Sequence, residues 1–301
     1  MYNYKKALNL FEKLDCIVLK DEPMSNHTSF KIGGPADLFI EINTEAALLE
    51  TIKILNEFSI LFFLLGNGSN LLVRDVGFKG AVLKLSKNFK NIRLTERKKI
   101  ICGAGISLSK LCLFAENNAL SGAEFLWGIP GTVGGAVFMN AGAYGREIKD
   151  IIVSSVHITK QGEKVELNKN QMDLSYRHSI YSKTKDIITS VEFELVESNQ
   201  LHIREIMDNL IKQRKSKQPL DYPSAGSVFK RPSGNFVGTL IEECGLKGKT
   251  IGDAKVSEKH GGFIVNLGNA TCQNVLDLIE LIKSTVFEKT GILLEPEIKV
   301  L

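Results

Sequence analysis

The sequence is poor in the features that mark secreted, metal-binding or membrane-spanning chains. Its 301 residues include five cysteines, and no two of them form a C-x-x-C pair. This usage is typical of reduced, mostly buried thiols rather than of disulfides or a metal site. The longest apolar run, ILFFLL at residues 60–65, is too short to cross a bilayer, and the N-terminus lacks the apolar core of a signal peptide. We therefore expect a cytoplasmic protein without a bound metal.

A strong charge of one sign is also missing. The 38 basic and 34 acidic residues give a net charge of +4, which is too small to indicate nucleic-acid binding but suits a small anionic substrate. Apolar residues make up 44% of the chain and charged residues 24%, as in ordinary globular proteins. No internal repeat or low-complexity tract is visible. The length allows two or three domains.

Glycine, in contrast, is concentrated in one segment. The stretch GIPGTVGGAVFMNAGAYG, residues 128–145, holds six of the 26 glycines and no charged residue. A mobile linker would be polar, whereas this segment carries Ile129, Val133, Val137 and Phe138. Because glycine allows close backbone approach, the pattern predicts a buried segment packed against a flat or bulky group. A tightly packed structural turn is the alternative.

A second glycine-rich motif, LLGNGSNLL, spans residues 64–72. It follows an apolar strand pattern, so its glycines can turn the chain and expose several consecutive backbone N–H groups. Such a nest binds phosphate without a charged side chain. The motif is neither a P-loop nor a dinucleotide fingerprint, and a plain turn after a strand remains open.

Four further stretches contain candidate polar groups. They are SYRHSIY with Arg177, KQPLDYPSAGSVFKRP with Ser227, Lys230 and Arg231, VSEKHGGFIVN with His260, and LEPEIKVL with Glu295 and Glu297. Basic side chains of this kind can bind phosphates, but they can equally be surface charge. His178 has no acidic or cysteine partner at metal-ligand spacing, and we interpret it as structural. Pro296 is expected to distort the strand that carries the two glutamates.

Hydrophobic periodicity predicts the organisation of the chain. Leu48, Ile52 and Leu55 indicate a helix capped near Asn43 or Thr44, and ILFFLL indicates a buried strand. Alternating patterns from about residue 151 to 196 predict an antiparallel sheet. Amphipathic helices are predicted over 201–217 and 271–290, the latter with Val275, Leu278, Ile279, Ile282 and Val286 on one face and Gly291 beyond its end.

The order of the motifs is more specific than any one of them. NHTSFKIGGPADLF, LLGNGSNLLVRD, GIPGTVGGAVFMNAGAYG, SYRHSIY, GSVFKRP, VSEKHGGFIVN and LEPEIKV follow one another over about residues 20–301. In this order they resemble the MurB family, the UDP-N-acetylenolpyruvoylglucosamine reductases of peptidoglycan synthesis, in its compact class. The resemblance implies an α+β chain with a vanillyl-alcohol-oxidase-type (PCMH-type) FAD-binding fold in two α/β subdomains, followed by an α+β substrate-binding domain.

The resemblance also implies domain limits and cofactor contacts. The FAD-binding subdomains would be 1–80, joined by the C-terminal strand 296–301, and 81–198, and the substrate-binding domain would be 199–295. The residues expected to bind FAD are Thr28, Ser29, Phe30, Gly66, Asn67, Gly68, Ser69, Asn70, Gly131, Gly134, Gly135, Asn140, Ala141 and Gly142. The loop at 66–70 would hold the pyrophosphate, and the segment at 131–142 would lie along the isoalloxazine and ribityl chain.

The same resemblance implies a reaction. Hydride would pass from NADPH to FAD and then to the β-carbon of UDP-N-acetylglucosamine enolpyruvate, giving UDP-N-acetylmuramate. Ser227 would protonate the α-carbon, Arg177 would stabilise the negative charge, and Glu297 would orient the intermediate or serve as an alternative proton source. Lys217, Arg231 and His260 would bind substrate. We expect a monomer that needs no protein partner.

Some residues depart from the family's pattern. Thr239 stands where relatives often carry Lys or Arg, Gly261 where Ala is common, and Arg146 where Gly is common. Two other functions remain open from the residues: a different flavin oxidase of the same fold, and a nucleotide-sugar binding module without flavin. The first would lack the ordered GSVFKRP and LEPE motifs, and the second would not need the flavin-wrapping glycines.

Overall fold

The structure, a computed structural model, describes residues 2–301 and is an α+β chain, as predicted. Its helices are α1 (Tyr2–Phe11), α2 (Glu45–Glu57), α3 (Leu108–Asn117), α4 (Val133–Phe138), α5 (Tyr181–Thr184), α6 (Gln200–Lys217), α7 (Val237–Glu243) and α8 (Cys272–Thr290). None of the helices in residues 2–301 combines the length and the apolar character that crossing a membrane requires.

Nineteen strands are described. They are β1 (Cys16–Pro23), β2 (Pro35–Ile42), β3 (Phe62–Leu65), β4 (Leu71–Leu72), β5 (Phe78–Leu85), β6 (Ile92–Leu94), β7 (Ile100–Gly103), β8 (Leu120–Ser121), β9 (Gly142–Ala143), β10 (Arg146–Glu147), β11 (Ile152–Ile158), β12 (Lys164–Asn168), β13 (Ile187–Phe193), β14 (Val196–Glu197), β15 (Ser224–Ser227), β16 (Thr250–Ile251), β17 (Ala254–Val256), β18 (Phe263–Asn266) and β19 (Lys299–Val300).

The chain forms two compact units, each built from separate stretches of sequence. The first unit comprises residues 1–20, 38–66 and 80–212, and the second comprises residues 21–37, 67–79 and 213–301. Each unit has its own cluster of buried apolar side chains. The boundary between them falls inside the glycine-rich loop at 66–70. The three-domain division drawn from the sequence stays a prediction.

Two sheets make up most of the first unit. One has the strand order β1-β2-β5-β3, with β3 parallel to β5, and most of its residues belong to this unit. The other has the order β12-β11-β13-β7-β6 and is antiparallel throughout, which confirms the pattern predicted for residues 151–196. The prediction of a fully buried strand at ILFFLL was wrong in one respect. Strand β3 lies at the edge of its sheet and its first three residues are only half-buried, because an edge strand is covered less completely than a central one; Leu61, which precedes the strand, is exposed.

Helix α2 shows how the pattern becomes structure. The side chain of Thr44 accepts a hydrogen bond from the backbone N–H of Ala47, which satisfies a donor that the first turn leaves unpaired. Leu48, Ile52 and Leu55 are buried on one face, as predicted.

The thiols of Cys102, Cys112, Cys244 and Cys272 are also buried, and burial raises the pKa of Cys102 and Cys112.

In the second unit, α7 and α8 belong to the same apolar cluster as the antiparallel sheet β15-β18-β17-β16. Thr271 and Asn274 form a capping box at the start of α8, and Gly291 ends the helix in the left-handed region with φ of 71°. The five apolar residues predicted on one face of α8 are all buried. The short strand β19 pairs in parallel with β4.

A buried ion pair joins α6 to α3 within the first unit. The guanidinium of Arg204 donates from Nε to Glu116 Oε1 at 2.7 Å and from Nη2 to Oε2 at 2.5 Å. The side chain of Glu116 is only 5% exposed, whereas that of Arg204 is 39% exposed. A carboxylate in such a position is stable only while the bidentate partner is present.

We predict that Arg204→Met destabilises the protein by about 2–4 kcal/mol, because it leaves a buried carboxylate unpaired. The double variant Arg204→Met with Glu116→Leu should recover most of this loss, since no buried charge remains. Urea unfolding at neutral pH measures both. Lys53→Met, which breaks the exposed pair with Glu50, is the control and should change stability far less. Equal losses in the single and the double variant would contradict the prediction.

Candidate active site

The loop at 67–70 in the second unit has the form predicted for an anion-binding nest. Gly68 takes a left-handed φ of 61°, and a Cβ there would lie 2.3 Å from the carbonyl oxygen of His27. Within the described residues of the second unit, the four backbone N–H groups of Asn67 to Asn70 donate to no acceptor. Unpaired consecutive N–H groups need an acceptor from elsewhere, and a pyrophosphate would supply several oxygens.

The segment at 28–30 supports this loop within the same unit. The backbone N–H of Ser29 donates to the carbonyl of Gly68 at 3.2 Å, and its hydroxyl donates to the carbonyl of Ser224 at 2.6 Å. The hydroxyl of Thr28 donates to the carbonyl of Ile32, and Phe30 is fully buried. Of these three residues, Ser29 bonds to the loop directly, whereas the side chains of Thr28 and Phe30 are engaged within the unit.

The glycine-rich segment of the first unit contains a short helix that the sequence did not reveal. Helix α4 begins at Val133, and the hydroxyl of Thr132 accepts from the N–H of Gly135 at 3.3 Å. A Cβ on Gly134 would lie 2.9 Å from the Cβ of Ala104, so internal packing explains that glycine. Gly135 is exposed, and a Cβ there would meet only the Thr132 hydroxyl at 3.3 Å. The exposed backbone at Gly135 therefore leaves room for a flat group.

Gly66 and several predicted cofactor residues of the segment at 128–145 serve the fold itself. A Cβ on Gly66 would lie 2.7 Å from the Thr132 hydroxyl, and one on Gly142 would lie 2.6 Å from the carbonyl of Arg146. Gly131 donates its N–H to the carbonyl of Ile129, and the N–H of Ala141 bonds to the carbonyl of Ala136. The side chain of Asn140 is buried and hydrogen-bonded entirely within the protein.

The structure places Ser227 on a β-bulge. Strand β15 pairs with β18 through Ser224 opposite Val265 and Ser227 opposite Phe263, with a shift in register between the two pairs. Gly226 has a φ of 78°, which lets the strand bend at this point. A bulge turns the side chain that follows it out of the regular alternation. The hydroxyl of Ser227 is half-buried and lies 3.2 Å from the carbonyl of Phe229.

Ser227 and Glu297 are brought together within the second unit. The N–H of Glu297 donates to the carbonyl of Val228 at 2.7 Å, and Phe229 pairs with Pro296 in an antiparallel bridge. The expected distortion at Pro296 therefore does not prevent strand pairing, because a proline can occupy an edge position without donating. Glu295 is mostly exposed and forms an ion pair with Lys230, whereas Glu297 is half-buried. The two carboxylates have different surroundings.

Glu297 is also linked to the nest. The side-chain amide of Asn70 donates to the carbonyl of Glu297 at 3.2 Å, and the N–H of Lys299 donates to the carbonyl of Asn70 at 3.0 Å. One segment at the C-terminus thus connects the loop at 67–70 to the bulge that carries Ser227.

His260 lies close to the same bulge. Its Nδ1 accepts from the N–H of Gly262 at 3.1 Å, so the neutral ring carries its proton on Nε2. A Cβ on Gly262 would lie 3.4 Å from the Ser227 hydroxyl, which shows how near the histidine loop comes to the serine. Burial lowers the pKa of His260, and the positive charge of Lys247 lowers it further. The ring packs edge-on against Phe263 at 5.0 Å between centroids.

The basic residues expected to bind the diphosphate are exposed. Lys217 is the last residue of α6, and the guanidinium of Arg231 stacks on the ring of Phe236 at 3.9 Å. Of the three departures from the family pattern, Gly261 is buried, where a Cβ would lie 2.8 Å from the carbonyl oxygen of Gly238, and the other two are exposed. Thr239 is exposed on α7, and Arg146 lies 5.6 Å from the ring centroid of Phe125.

Arg177 belongs to the first unit, in a turn closed by Ser175 and His178. Its φ of 54° is unusual for a residue other than glycine and marks a conformation held by its surroundings. The guanidinium lies 5.0 Å from the ring centroid of Tyr176. His178 bonds to Asp173 and Ser182, which agrees with its interpretation as structural.

Comparison with known proteins agrees with this arrangement. A family model for an FAD binding domain matches residues 36–168, and one for the C-terminal domain of UDP-N-acetylenolpyruvoylglucosamine reductase matches residues 218–301. The first match argues against a nucleotide-sugar module without flavin. The first model's name indicates FAD. Within the second unit, the N–H groups at 67–70 suit a pyrophosphate, and within the first unit the exposed backbone at Gly135 leaves room for a flat group.

Solved structures show the same fold. UDP-N-acetylenolpyruvylglucosamine reductase from Thermus caldophilus is 34% identical, with a TM-score of 0.81, and the match covers 95% of this chain and 98% of that one. p-Cresol methylhydroxylase is only 16% identical, with a TM-score of 0.51 over 98% of this chain and 66% of that one, so it supports the PCMH-type fold alone.

Curated relatives extend the likeness over the full sequence. The UDP-N-acetylenolpyruvoylglucosamine reductase of Clostridioides difficile is 47% identical over 99% of this chain and 97% of the relative. That of Clostridium botulinum is 46% identical over 100% and 98%, respectively. With this identity across both units, the chain belongs to the UDP-N-acetylenolpyruvoylglucosamine reductase family.

Proposed function

We propose that this protein reduces UDP-N-acetylglucosamine enolpyruvate to UDP-N-acetylmuramate, with NADPH as the reductant and FAD as the bound cofactor. The observation that carries the proposal is the position of Ser227 on a β-bulge, with the backbone of Glu297 hydrogen-bonded to the next residue. This pair lies in the part of the chain that matches the family's C-terminal domain. The reaction makes a cytoplasmic precursor of peptidoglycan, and we propose that the protein acts there as a monomer.

The two glycine-rich segments would hold the cofactor. In the proposal, the N–H groups of Asn67 to Asn70 bind the pyrophosphate and the exposed backbone at Gly135 lies against the ring system. When bound, FAD supplies the hydride chemistry that side chains cannot, between NADPH and the β-carbon of the enolpyruvyl double bond. Every remaining task falls to residues of the chain.

Arg177 would face the carboxylate of the enolpyruvyl group. Hydride addition at the β-carbon leaves negative charge on the α-carbon and the carboxylate. A guanidinium already held in place stabilises that charge at no cost of reorganisation. The left-handed backbone of Arg177 supports this role, because strain in a non-glycine residue is common where a side chain must be aimed.

Ser227 would then donate a proton to the α-carbon. A serine hydroxyl is a weak acid, so it needs an acceptor whose basicity has risen and a position within hydrogen-bond reach. The bulge at Gly226 and the pairing of Val228 with Glu297 fix the backbone on both sides of Ser227. Glu297 would orient the intermediate or supply a proton by a second route. Lys217 and Arg231 would bind the nucleotide diphosphate, and His260 would bind another part of the substrate.

The cofactor is predicted to be FAD rather than FMN, because the proposed pyrophosphate nest at 66–70 is a separate stretch of sequence from the proposed ring-lining segment at 128–145. Mass spectrometry of the flavin released from purified protein identifies it. In the comparison experiment, protein pre-loaded with FMN should retain its flavin less firmly than protein that holds FAD. FMN as the native cofactor would contradict the prediction.

NADPH and the enolpyruvyl substrate are predicted to compete for one site. Outside the proposed cofactor nest, Lys217 and Arg231 are the basic side chains that the sequence offers for the diphosphate of either molecule. Steady-state kinetics should give parallel lines in double-reciprocal plots, with inhibition at high substrate. Intersecting lines, as in a ternary-complex mechanism, would count against a shared site.

Ser227→Ala is predicted to impair only the second half-reaction. Reduction of bound flavin by NADPH needs no proton at the substrate, so bleaching should keep nearly the wild-type rate. Reoxidation by substrate under anaerobic conditions should slow by at least about a hundredfold, the lower limit for loss of a general acid. Stopped-flow absorbance at the flavin band measures both steps.

Two variants sharpen this test. Ser227→Cys keeps a proton donor and should recover part of the rate, while Ser284→Ala in α8 removes a hydroxyl that bonds only to the carbonyl of Leu281 and should change neither step. Equal slowing of both half-reactions in Ser227→Ala would show that the serine shapes the site rather than donating the proton.

A further inference from the structure

The side chain of Asn140 connects the glycine-rich segment to the turn that carries Arg177. Its Nδ2 donates to the carbonyl of Ser175 at 2.9 Å and to Oε2 of Glu147 at 3.1 Å, and its Oδ1 accepts from the N–H of Lys149 at 2.9 Å. The residue is fully buried. Both N–H donors of the amide and one lone pair of Oδ1 are therefore engaged inside the protein, and burial keeps the group away from the surface.

The position of Asn140 depends on the end of helix α4. Asn140 follows the helix by two residues, has a left-handed φ of 41°, and donates its N–H to the carbonyl of Val137 at 3.1 Å. Asparagine tolerates this conformation better than most residues. Any shift of α4 would therefore be passed directly to the amide of Asn140.

The turn at 175–178 is closed by two backbone hydrogen bonds between its end residues. The N–H of Ser175 donates to the carbonyl of His178 at 3.1 Å, and the N–H of His178 donates to the carbonyl of Ser175 at 3.0 Å. The carbonyl of Ser175 thus accepts from both His178 and Asn140, which fills its two lone pairs. Arg177 lies inside this turn with the strained backbone described above.

A second hydrogen bond makes the same connection. The hydroxyl of Ser179, which is fully buried, donates at 2.7 Å to the carbonyl of Phe138, the last residue of α4. The end of α4 therefore contacts the chain both at the start of the turn and immediately after it. We call these two buried hydrogen bonds, Asn140 to Ser175 and Ser179 to Phe138, the ties. Because they fix the chain on both sides of Arg177, they restrict the positions that its side chain can take.

We propose that Asn140 and Ser179 are positioning residues, which hold the turn of Arg177 against the end of α4 and so set where the guanidinium lies. The proposal rests on the proposed function, in which Arg177 binds the carboxylate of the substrate. It gives Asn140 a role through its side chain that differs from direct contact with the cofactor. It also explains why a buried amide interrupts an otherwise small and apolar segment.

The test is a double-mutant cycle on the FAD-loaded protein. Ser179→Ala removes one tie, and Asn140→Gly removes the other while keeping a backbone that accepts a positive φ. Each change is made in the wild type and in Arg177→Ala. Thr189→Val is the matched control, because it deletes a buried hydroxyl of the same unit whose hydrogen bond, to the carbonyl of Val156, involves neither the turn nor a carbonyl of α4.

Two readouts are measured without turnover. The first is the dissociation constant of the product, UDP-N-acetylmuramate, by isothermal titration calorimetry, because its lactyl carboxylate would bind Arg177. The second is amide hydrogen exchange of the peptide that covers residues 173–180. We expect each tie variant to weaken product binding about three- to tenfold and to speed exchange in this peptide, whereas Thr189→Val should do neither.

In the Arg177→Ala background, the tie variants should weaken product binding no further, since the group they position is gone. If Arg177→Ala weakens binding but the tie variants add their full effect to it, the positioning role is wrong and the role of Arg177 stands. If Arg177→Ala leaves binding unchanged, the assignment of Arg177 in the proposed function is wrong, and the inference falls with it. If Asn140→Gly does not fold, Ser179→Ala alone completes the cycle.

Discussion

The pairing of the C-terminal segment is the constraint on which the candidate site of the second unit depends. On one side, Glu295 and Glu297 bond to Lys230 and Val228, next to the bulge of Ser227. On the other, residues 299–301 bond to the chain from Asn70 to Arg74, where the nest ends. A bulge and a loop that are far apart in sequence are thereby fixed to one short segment. Removing that segment would leave neither with its partner.

The glycine-rich segment owes its composition to two different demands. Gly134 and Gly142 have no room for a side chain, because the Cβ would meet Ala104 or the carbonyl of Arg146. Gly135 is exposed, and a Cβ there would meet the hydroxyl of Thr132 alone. Part of what looks like a cofactor signal in the sequence is therefore internal packing. The fold needs those glycines before any ligand binds.

Structure could be predicted from the sequence where apolar residues repeat with the period of a helix or a strand, or where a capping residue marks a helix end. The buried faces of α2 and α8, the antiparallel strands after residue 151 and the caps at Thr44 and Gly291 follow from spacing and residue type. Helix α4 could not be predicted from propensity, because two of its six residues are glycine. Thr132 at its start was the one local signal of a helix. The bulge at Gly226 and the ties to Asn140 depend on residues distant in sequence, which no local pattern specifies.

The source of the hydrogen that is added to the α-carbon tests the central claim most directly. The protein is incubated with NADPH and UDP-N-acetylglucosamine enolpyruvate in D₂O, and the product is examined by proton and deuterium NMR. Because the Ser227 hydroxyl exchanges with solvent, the account predicts UDP-N-acetylmuramate with deuterium at the α-carbon of its lactyl group, formed in step with NADPH consumption. Protium at the α-carbon, or NADPH oxidation without this product, would contradict it.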